Sequence, residues 1–221
     1  MPAAGSGRRM GGVRKPFLEL DGEPVLVHAL RPFLRHPGVV SIAVALGAED
    51  LAGVPRWLTE LDPRIGVVQG GASRWESVRN ALGALPDDLD IVAVHDAARP
   101  LVSDEVVARC IEVATIGEGA VAGCPAVDTM KEVDDDGRVV STPDRSRLWH
   151  AHTPQAFPAE VARRAYAGPE SGATDDSMLV ERLGTTVRMV NGGPDNLKVT
   201  VPGDVAVAEA ILRSRRGADG R

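Results

Sequence analysis

Short runs of β-branched and other apolar residues alternate with segments of amphipathic helical periodicity along most of the chain. The apolar runs predict buried parallel strands at residues 39–46, 65–69, 91–95, 119–127 and 185–190. The periodic segments predict helices at residues 25–34, 51–61, 73–85, 104–116, 159–167, 175–183 and 204–213. Strands that alternate with helices indicate an α/β protein with a doubly wound sheet.

One stretch interrupts this alternation. Residues 130–142 contain short extended pieces around the sequence Asp134-Asp135-Asp136-Gly137, which is a hairpin signal. Residues 143–155 are polar and have no helical period. We therefore expect a single domain with an arm at residues 130–155 that projects from the sheet. The charged, glycine-containing tail at residues 214–221 is expected to be frayed.

The composition narrows the possible partners. The formal net charge of −6 and the 3% aromatic content argue against a nucleic-acid binder, which usually has a basic face and stacking side chains. No apolar run is long enough to cross a bilayer. Arg8 and Arg9 are followed by Gly11 and Gly12 instead of an apolar segment, so they do not form an export signal. Two cysteines without metal-ligand spacing favour a reducing compartment, and we expect a cytoplasmic protein.

The first candidate for chemistry is the glycine-rich run at residues 3–10, followed by Lys15. Glycines allow backbone N–H groups to curl around phosphate oxygens, and Arg9 and Lys15 add positive charge. The run is not a Walker loop, since no Gly-Lys-Ser/Thr follows it. Met10 replaces the third glycine of a dinucleotide fingerprint. These residues alone fit a phosphate-binding loop and a flexible basic tail equally.

A second candidate, at residues 94–100, follows a predicted strand at the edge where open α/β sheets bind ligands. Asp96 could hold a metal ion or ribose hydroxyls, and Arg99 could hold a phosphate. An Asp–Arg pair that closes a turn is the structural alternative. For His95, the structural alternative is favoured over catalysis.

Two further candidates carry glycine or lysine. Gly70 and Gly71 end a predicted strand and could admit a flat base, whose edge Ser77 could contact; an ordinary βα turn is the alternative. Lys198 lies between apolar neighbours in the run at residues 195–200, where a lysine is unfavourable unless it faces a ligand or a partner.

Taken together, these segments resemble the 2-C-methyl-D-erythritol 4-phosphate cytidylyltransferases of non-mevalonate isoprenoid synthesis. The runs that carry the resemblance occur in the family's order and spacing: residues 3–10, 95–100, 128–131, 148–155 and 195–200. The resemblance extends from Pro2 to the helix that ends near Arg213. It implies a Rossmann-like nucleotidyltransferase of the nucleotide-diphospho-sugar transferase type. It also implies a homodimer formed through the arm and a requirement for Mg²⁺, for which Asp96 is the candidate ligand.

The resemblance also assigns roles to single residues. It implies that Arg9 and Lys15 stabilise the transition state and that Arg145 and Lys198 position the substrate phosphate. The residues implied to bind methylerythritol phosphate are Asp96, Arg99, Thr129, Thr153 and Thr174. Those implied to bind CTP are Ala4, Gly5, Gly71, Ser77 and Ala97. Because Arg145 and Thr153 belong to the expected arm, we expect them to complete the partner subunit's site.

The chain departs from the family pattern in two places. The segment between Met10 and Lys15 is one residue shorter than in some members, and the family's first strand, upstream of Ala3, is absent. A central strand contributes several buried apolar side chains. We therefore expect the natural protein to begin upstream of Met1 with an apolar strand.

The residue inventory fits cytidylyl transfer. A substrate phosphate oxygen, already ionised at neutral pH, attacks the α-phosphorus of CTP in line, so that positive charge and alignment are needed and a Ser, Cys or His base is not. Three alternatives remain: a cytidylyltransferase for D-ribitol 5-phosphate, an NAD-binding oxidoreductase and a non-catalytic nucleotide-binding module.

Overall fold

The computed structural model describes residues 1–5, 15–170 and 172–219, and its centre is a mixed, mostly parallel sheet. The strands β5 (Ile91–Val94), β6 (Gly119–Pro125), β9 (Trp149–Pro158) and β10 (Val187–Asn191) pair in the order β10-β6-β9-β5. Strand β10 is parallel to β6, whereas β9 is antiparallel to both of its neighbours. Strands β3 (Ile42–Leu46) and β4 (Ile65–Gln69) form a parallel pair. Two short strands, β1 (Glu19–Leu20) and β2 (Glu23–Pro24), form a separate antiparallel pair.

The first residues of the chain connect the β3–β4 pair to β5. The Ala3 N–H donates to the Ala45 carbonyl over 2.8 Å, and the Ala45 N–H donates to the Met1 carbonyl over 3.0 Å. On the other side, the Ala97 N–H donates to the Pro2 carbonyl over 3.4 Å. This short parallel segment places the backbone that follows Ala3 at the carboxyl ends of β3 and β5.

A cavity of about 570 Å³ lies beside this segment, between β3 and β5. Ile42, Ala43, Leu82 and Val92 are among its lining residues. The Met1 ammonium donates to the Ala43 carbonyl over 2.6 Å, and burial lowers its pKa to about 5. The expectation of an apolar strand upstream of Met1 stays a prediction.

Helices cover both faces of the sheet. They are α1 (Val25–Arg35), α2 (Ala48–Leu51), α3 (Arg56–Glu60), α4 (Arg74–Gly83), α5 (Asp104–Thr115), α6 (Ala159–Ala167), α7 (Asp176–Glu181) and α8 (Gly203–Asp219). Side chains of α1 and α5 pack in one buried cluster, and side chains of α4, α6 and α7 pack in another. Adjacent residues of β9 divide between the two clusters, with Ala156 in the first and Phe157 in the second. This arrangement confirms the expected doubly wound α/β fold.

Local sequence signals explain where several helices begin. The side chains of Ser73, Ser103 and Asp175 accept hydrogen bonds from the backbone N–H of the third residue of α4, α5 and α7, respectively. Of the expected helix at residues 51–61, the structure has only α3 at Arg56–Glu60, and the preceding helix α2 ends at Leu51. Pro55, which has no N–H to donate, stands immediately before α3 and marks the break.

The arm is shorter than the sequence predicted. Its hairpin is confirmed: β7 (Glu132–Val133) pairs with β8 (Val139–Ser141), and Gly137 supplies the positive φ of +77° that the turn requires. The expected end of the arm at residue 155 is wrong, because the chain re-enters the central sheet as β9. Thr153 and Gln155 are only 4% and 1% exposed. The polar groups of Thr153 and Gln155 are hydrogen-bonded inside the protein. A segment with a polar sequence can therefore form a buried strand here.

The structure extends α8 to Asp219, through most of the tail that the sequence predicted to be frayed. The Arg215 guanidinium donates to the Leu101 carbonyl over 2.8 Å, and Arg216 forms an ion pair with Asp21. These contacts attach the last turns of α8 to the domain. None of the helices within the described ranges combines the length and apolar character that crossing a bilayer requires.

Candidate active site

Three loops and the first residues of the chain meet at the carboxyl ends of β3, β4 and β5. They enclose a cavity of about 620 Å³. The residues that line it are Pro2, Ala3, Ala4, Gly5, Pro16, Gly47, Ala48, Gly71, Ala72, Ser73, Arg74, Ser77, Asp96, Ala97, Ala98 and Lys198. This is the edge at which open α/β sheets bind ligands. It brings together all five positions assigned to CTP with Asp96 and Lys198.

The glycine loop after β4 is closely packed and needs both glycines. A Cβ atom on Gly70 would lie 2.5 Å from the Ala4 Cβ, and one on Gly71 would lie 2.1 Å from the Glu76 Cβ. The Gly71 N–H donates to the Ser77 hydroxyl over 3.0 Å, and that hydroxyl donates to the Ser73 carbonyl over 2.9 Å. Ser77 therefore holds the shape of the loop.

Asp96 carries the negative charge at the centre of the site. Its Oδ2 accepts from the Lys198 Nζ at 2.7 Å, and its Oδ1 accepts from the Arg74 Nε at 3.1 Å. The Arg99 Nε lies 3.7 Å from Oδ2. Burial alone would raise the pKa of Asp96, but the three cations outweigh it and hold the pKa well below its usual range. Asp96 is therefore ionised throughout the neutral pH range.

Thr153 and His95 support Asp96 from the protein interior. The Asp96 N–H donates to the Thr153 hydroxyl oxygen over 3.0 Å. The His95 Nε2 lies 3.1 Å from the Arg99 carbonyl, which can only accept, so His95 Nδ1 accepts from Thr153 over 3.0 Å. Burial lowers the pKa of His95 to about 4, and the ring is neutral at pH 7. His95 has the structural role that the sequence favoured. Thr153 lies behind Asp96 of the same chain, which does not fit the expectation that it completes a partner subunit's site.

Other residues assigned from the sequence lie apart from Asp96. Thr129 and Arg145 are exposed on the arm, where the Arg145 Nη1 donates to the Val127 carbonyl over 2.7 Å. Thr174 is exposed just before α7. Within the described residues, neither Thr129 nor Arg145 contacts Asp96 or the cations around it. Arg9 lies outside the described residues, and for Lys15 the backbone alone is described, in a 3₁₀ turn at Lys15–Phe17.

Sequence reasoning assigned no role to Arg74 or to Asp176. Arg74, the first residue of α4, donates from Nη1 and Nη2 to the two carboxylate oxygens of Asp176 over 2.8 and 2.6 Å. Asp176 is fully buried and also accepts from the Tyr166 hydroxyl. Burial alone would lower the pKa of Arg74, yet Asp176 and Asp96 raise it overall. Two acidic residues at a helix start indicate capping, so no sequence pattern pointed to this buried pair.

The position of Asp96 does not fit the magnesium site expected there. Both of its carboxylate oxygens accept hydrogen bonds from cationic groups, which would repel a divalent ion. Within the described residues, no group of three or more His, Cys, Asp or Glu side chains could hold a metal ion. The assignment of Mg²⁺ to Asp96 is therefore withdrawn.

The glycine loop and the cations around Asp96 define an α/β protein of the nucleotide-binding class. Residues 1–214 match the sequence profile described as 2-C-methyl-D-erythritol 4-phosphate cytidylyltransferase, and the chain belongs to this family. A relative with that name from Symbiobacterium thermophilum is 46% identical over 216 residues, which are 96% of this chain and 91% of the relative.

Solved structures give the same result. The 4-diphosphocytidyl-2C-methyl-D-erythritol synthase from Anaerococcus prevotii superposes with a TM-score of 0.86 at 30% identity, covering 96% of this chain and 93% of the other. The 2-C-methyl-D-erythritol 4-phosphate cytidylyltransferase from Thermus thermophilus gives 0.78 at 33% identity, covering 96% of both chains. These findings confirm the Rossmann-like fold and favour the methylerythritol interpretation over the D-ribitol 5-phosphate and NAD alternatives.

Proposed function

We propose that this protein transfers CMP from CTP to 2-C-methyl-D-erythritol 4-phosphate, giving 4-CDP-2-C-methyl-D-erythritol and pyrophosphate in non-mevalonate isoprenoid precursor synthesis. The observation that carries the proposal is the Lys198–Asp96 pair beside the glycine loop after β4. A cation held by a buried carboxylate is preorganised, so it can receive a second anion without first being ordered. Family membership supplies the identity of the two substrates.

In this mechanism the protein aligns two anions and neutralises the charge that develops between them. A phosphate oxygen of the acceptor attacks the α-phosphorus of CTP in line, and pyrophosphate leaves on the opposite side. Lys198 faces the incoming phosphate, and Asp96 fixes the position of Lys198. The family resemblance adds Arg9 and Lys15 as groups that stabilise the transition state. No side chain has to remove a proton, which agrees with a buried, neutral His95.

The binding roles on the acceptor side follow the family resemblance, because Thr129 and Thr174 are exposed in the structure. For CTP, the slot consists of Ala4, Gly5, Gly71 and Ala97, with Ser77 holding its shape. For the acceptor, we propose Asp96, Arg99, Thr129, Thr153 and Thr174. Thr153 acts behind Asp96, since its hydroxyl is already shared between the Asp96 N–H and His95.

Mg²⁺ remains part of the proposal as an ion that accompanies CTP. Magnesium commonly binds through substrate phosphates and keeps several of its waters, so it does not need a cage of protein ligands. When bound, it would neutralise triphosphate charge. Among the described residues, no group of three or more His, Cys, Asp or Glu side chains could hold the ion without the nucleotide.

The proposal predicts a strong preference for CTP as the nucleotide. We infer that the glycine loop fits a pyrimidine, because a side chain at Gly70 or Gly71 would collide with Ala4 or Glu76 and the backbone is therefore closely packed there. A purine needs more width than a pyrimidine. We expect kcat/KM for CTP to exceed that for ATP or GTP by at least about 10²-fold. Initial rates of product formation with each nucleotide and a fixed acceptor concentration measure this. Comparable kcat/KM values for ATP would refute the assignment of the loop.

We also propose that the protein is a homodimer formed through the arm. The arm and the segment leading into it carry apolar side chains that an isolated subunit leaves in water: Val127, Met130, Val133, Val139 and Val140. Val127 and Val140 are 75% and 64% exposed. Clustered exposed apolar residues are typical of interaction surfaces. Arg145, held against the same arm by Val127, would then reach the partner subunit's site.

Mixed dimers test the role of Arg145. A heterodimer of one Arg145→Ala subunit and one Lys198→Ala subunit is expected to contain one intact site, and thus about half of the wild-type activity per dimer. The reason is that Lys198 acts in its own subunit and Arg145 in the other. Purification through two different affinity tags isolates the heterodimer for the rate measurement. If the isolated heterodimer has no activity, Arg145 acts within its own subunit. An Arg145→Ala homodimer with wild-type activity would place Arg145 outside catalysis.

We propose a cytoplasmic location because both cysteine thiols are free. Cys110 and Cys124 are both free. Cys110 is buried, and burial raises its pKa to about 12, so it stays a protonated packing residue. Free thiols of this kind suit a reducing compartment.

A further inference from the structure

Asp176 is a fully buried carboxylate at the start of α7 that the proposed mechanism does not use. It receives two hydrogen bonds from Arg74, one to each oxygen, at 2.8 and 2.6 Å. Its other partner is the Tyr166 hydroxyl, whose pKa is raised by burial and by the nearby Asp176, so that the phenol remains a donor. Transferring a carboxylate from water to the protein interior is unfavourable. A bidentate ion pair with arginine offsets that cost and fixes the geometry of both groups.

The pair continues into the active site as a row of alternating charges. Arg74 uses Nη1 and Nη2 for Asp176, which leaves its Nε to donate to Asp96 Oδ1 over 3.1 Å. Asp96 Oδ2 is then left for Lys198, at 2.7 Å. The guanidinium is planar, so the bond to one carboxylate dictates which N–H faces the other. Asp176 thus determines that only one oxygen of Asp96 is taken by Arg74.

The same row connects the two sides of the site. Arg74 directly follows the loop that ends at Ser73, on the nucleotide side, and Asp176 lies two residues after Thr174, to which the family resemblance assigns acceptor binding. The start of α7 has a second attachment. The buried Gln155 of β9 donates to Asp175 over 2.9 Å and accepts from the Ser177 N–H over 2.7 Å. The start of α7 is therefore held against both α4 and the central sheet.

We propose that Asp176 is a positioning residue for cytidylyl transfer, acting through Arg74 and Asp96 on Lys198. The proposal rests on the function proposed above for this site. Without the charge of Asp176, Arg74 turns its two terminal nitrogens toward Asp96. Arg74 then competes with Lys198 for that carboxylate, and the Lys198 ammonium moves away from the position in which it meets the acceptor phosphate.

The test compares Asp176→Asn with Tyr166→Phe, two nearly isosteric changes around the same carboxylate. Asp176→Asn is expected to lower kcat by up to about 10²-fold, the cost of a small misplacement of a group that acts on the substrate. It should raise KM for the acceptor phosphate and leave KM for CTP unchanged. Tyr166→Phe removes a hydrogen bond to Asp176 but keeps the Arg74 pair, so it should lower Tm and leave both kinetic constants unchanged. Equal kinetic behaviour of the two variants would mean that Asp176 is only structural.

A double variant separates positioning from general damage. If Asp176 acts through Lys198, the combination of Asp176→Asn with Lys198→Ala should be about as slow as Lys198→Ala alone, since groups that act as a unit are not additive. Losses that multiply in the double variant would contradict the proposal. Should Asp176→Asn fail to fold, Arg74→Gln, at a partly exposed helix start, replaces it in the same cycle.

A measurement without substrates keeps this inference separate from the proposed function. Reductive methylation of Lys198, followed by peptide mass spectrometry, reports how firmly its ammonium is paired. We expect Lys198 to be methylated several-fold faster in Asp176→Asn than in the wild type or in Tyr166→Phe. Equal labelling in all three proteins would overturn the positioning role. A wild-type protein that releases no pyrophosphate would refute the proposed function and leave this readout valid.

Discussion

Replacement of Lys198 by alanine is expected to lower kcat by about 10²–10³-fold, the range for losing one preorganised group that stabilises the transition state. The Lys198 Nζ lies 2.7 Å from Asp96 Oδ2 and borders the cavity that the glycine loop encloses. Its position is fixed before substrate binds. Alanine removes the charge at the place where two anions must approach each other. The measurement is the steady-state rate of pyrophosphate release at saturating CTP and acceptor.

A matched control isolates this local effect from the loss of one surface charge. Arg188 is exposed at the sheet edge and pairs with Glu118 at 2.7 Å, away from the cavity. Arg188→Ala should leave kcat unchanged. The Lys198→Ala protein should keep a wild-type circular dichroism spectrum, since this side chain is partly exposed and contributes little to packing. A folded Lys198→Ala protein with wild-type kcat would remove Lys198 from the mechanism.

Asp96→Asn is expected to have the largest effect on stability. The substitution leaves Arg74, Lys198 and Arg99 facing each other without the carboxylate that pairs them. Breaking a buried ion pair by removal of one partner typically costs about 3–5 kcal/mol of unfolding free energy. For a domain of this size that corresponds to a fall in Tm of about 6–20 °C. Thermal unfolding followed by circular dichroism measures the shift.

Asp104→Asn provides the control for Asp96→Asn. Asp104 also pairs with an arginine, Arg35, at 2.8 and 2.6 Å, but on the protein surface. Because solvent screens an exposed pair, its loss should change the unfolding free energy by no more than about 1 kcal/mol. Equal Tm shifts for the two variants would contradict the description of Asp96 as the buried centre of the site.

The stability difference between wild type and Asp96→Asn should also depend on pH. The pKa of Asp96 is lower in the folded protein than in the unfolded chain, so its stabilising contribution is complete above the unfolded value. That contribution is lost as pH falls below about 4, the usual value for an aspartate, toward the folded pKa. We therefore expect a constant Tm difference from pH 7 to pH 5 and a narrowing difference below pH 4. A difference that narrows as pH rises would contradict the sign of the shift.

The sequence predicted the fold best where burial and periodicity agree. The runs in β3, β4 and β5 are apolar and lead into loops with glycine or small residues, so both the strands and their ligand-binding edge could be inferred. It failed for β9, whose buried half contains Thr153 and Gln155. A polar residue can occupy a central strand when its partners come from distant segments, and a single sequence does not show those partners.

The same limit explains which parts of the site could be found. Asp96 and Lys198 were accessible to sequence reasoning, because Asp96 follows the apolar run of β5 and Lys198 is a charged residue between apolar neighbours. The Arg74–Asp176 pair was not, since 102 residues separate the two and each occupies an ordinary helix start. The misplacement of Mg²⁺ on Asp96 has a related cause. A carboxylate at this edge of the sheet can bind either a metal ion or cationic side chains. Only the three-dimensional structure shows that Asp96 pairs with Arg74 and Lys198.

The most direct test of the central claim is the acceptor that supports pyrophosphate release from CTP. Purified wild-type protein is incubated with CTP, Mg²⁺ and either 2-C-methyl-D-erythritol 4-phosphate or D-ribitol 5-phosphate, and the initial rate is measured for each acceptor. The account predicts rapid release with the methylerythritol phosphate, formation of the CDP-linked product in equal amount, and slow release with the ribitol phosphate. Faster release with D-ribitol 5-phosphate, or none with either acceptor, would contradict it.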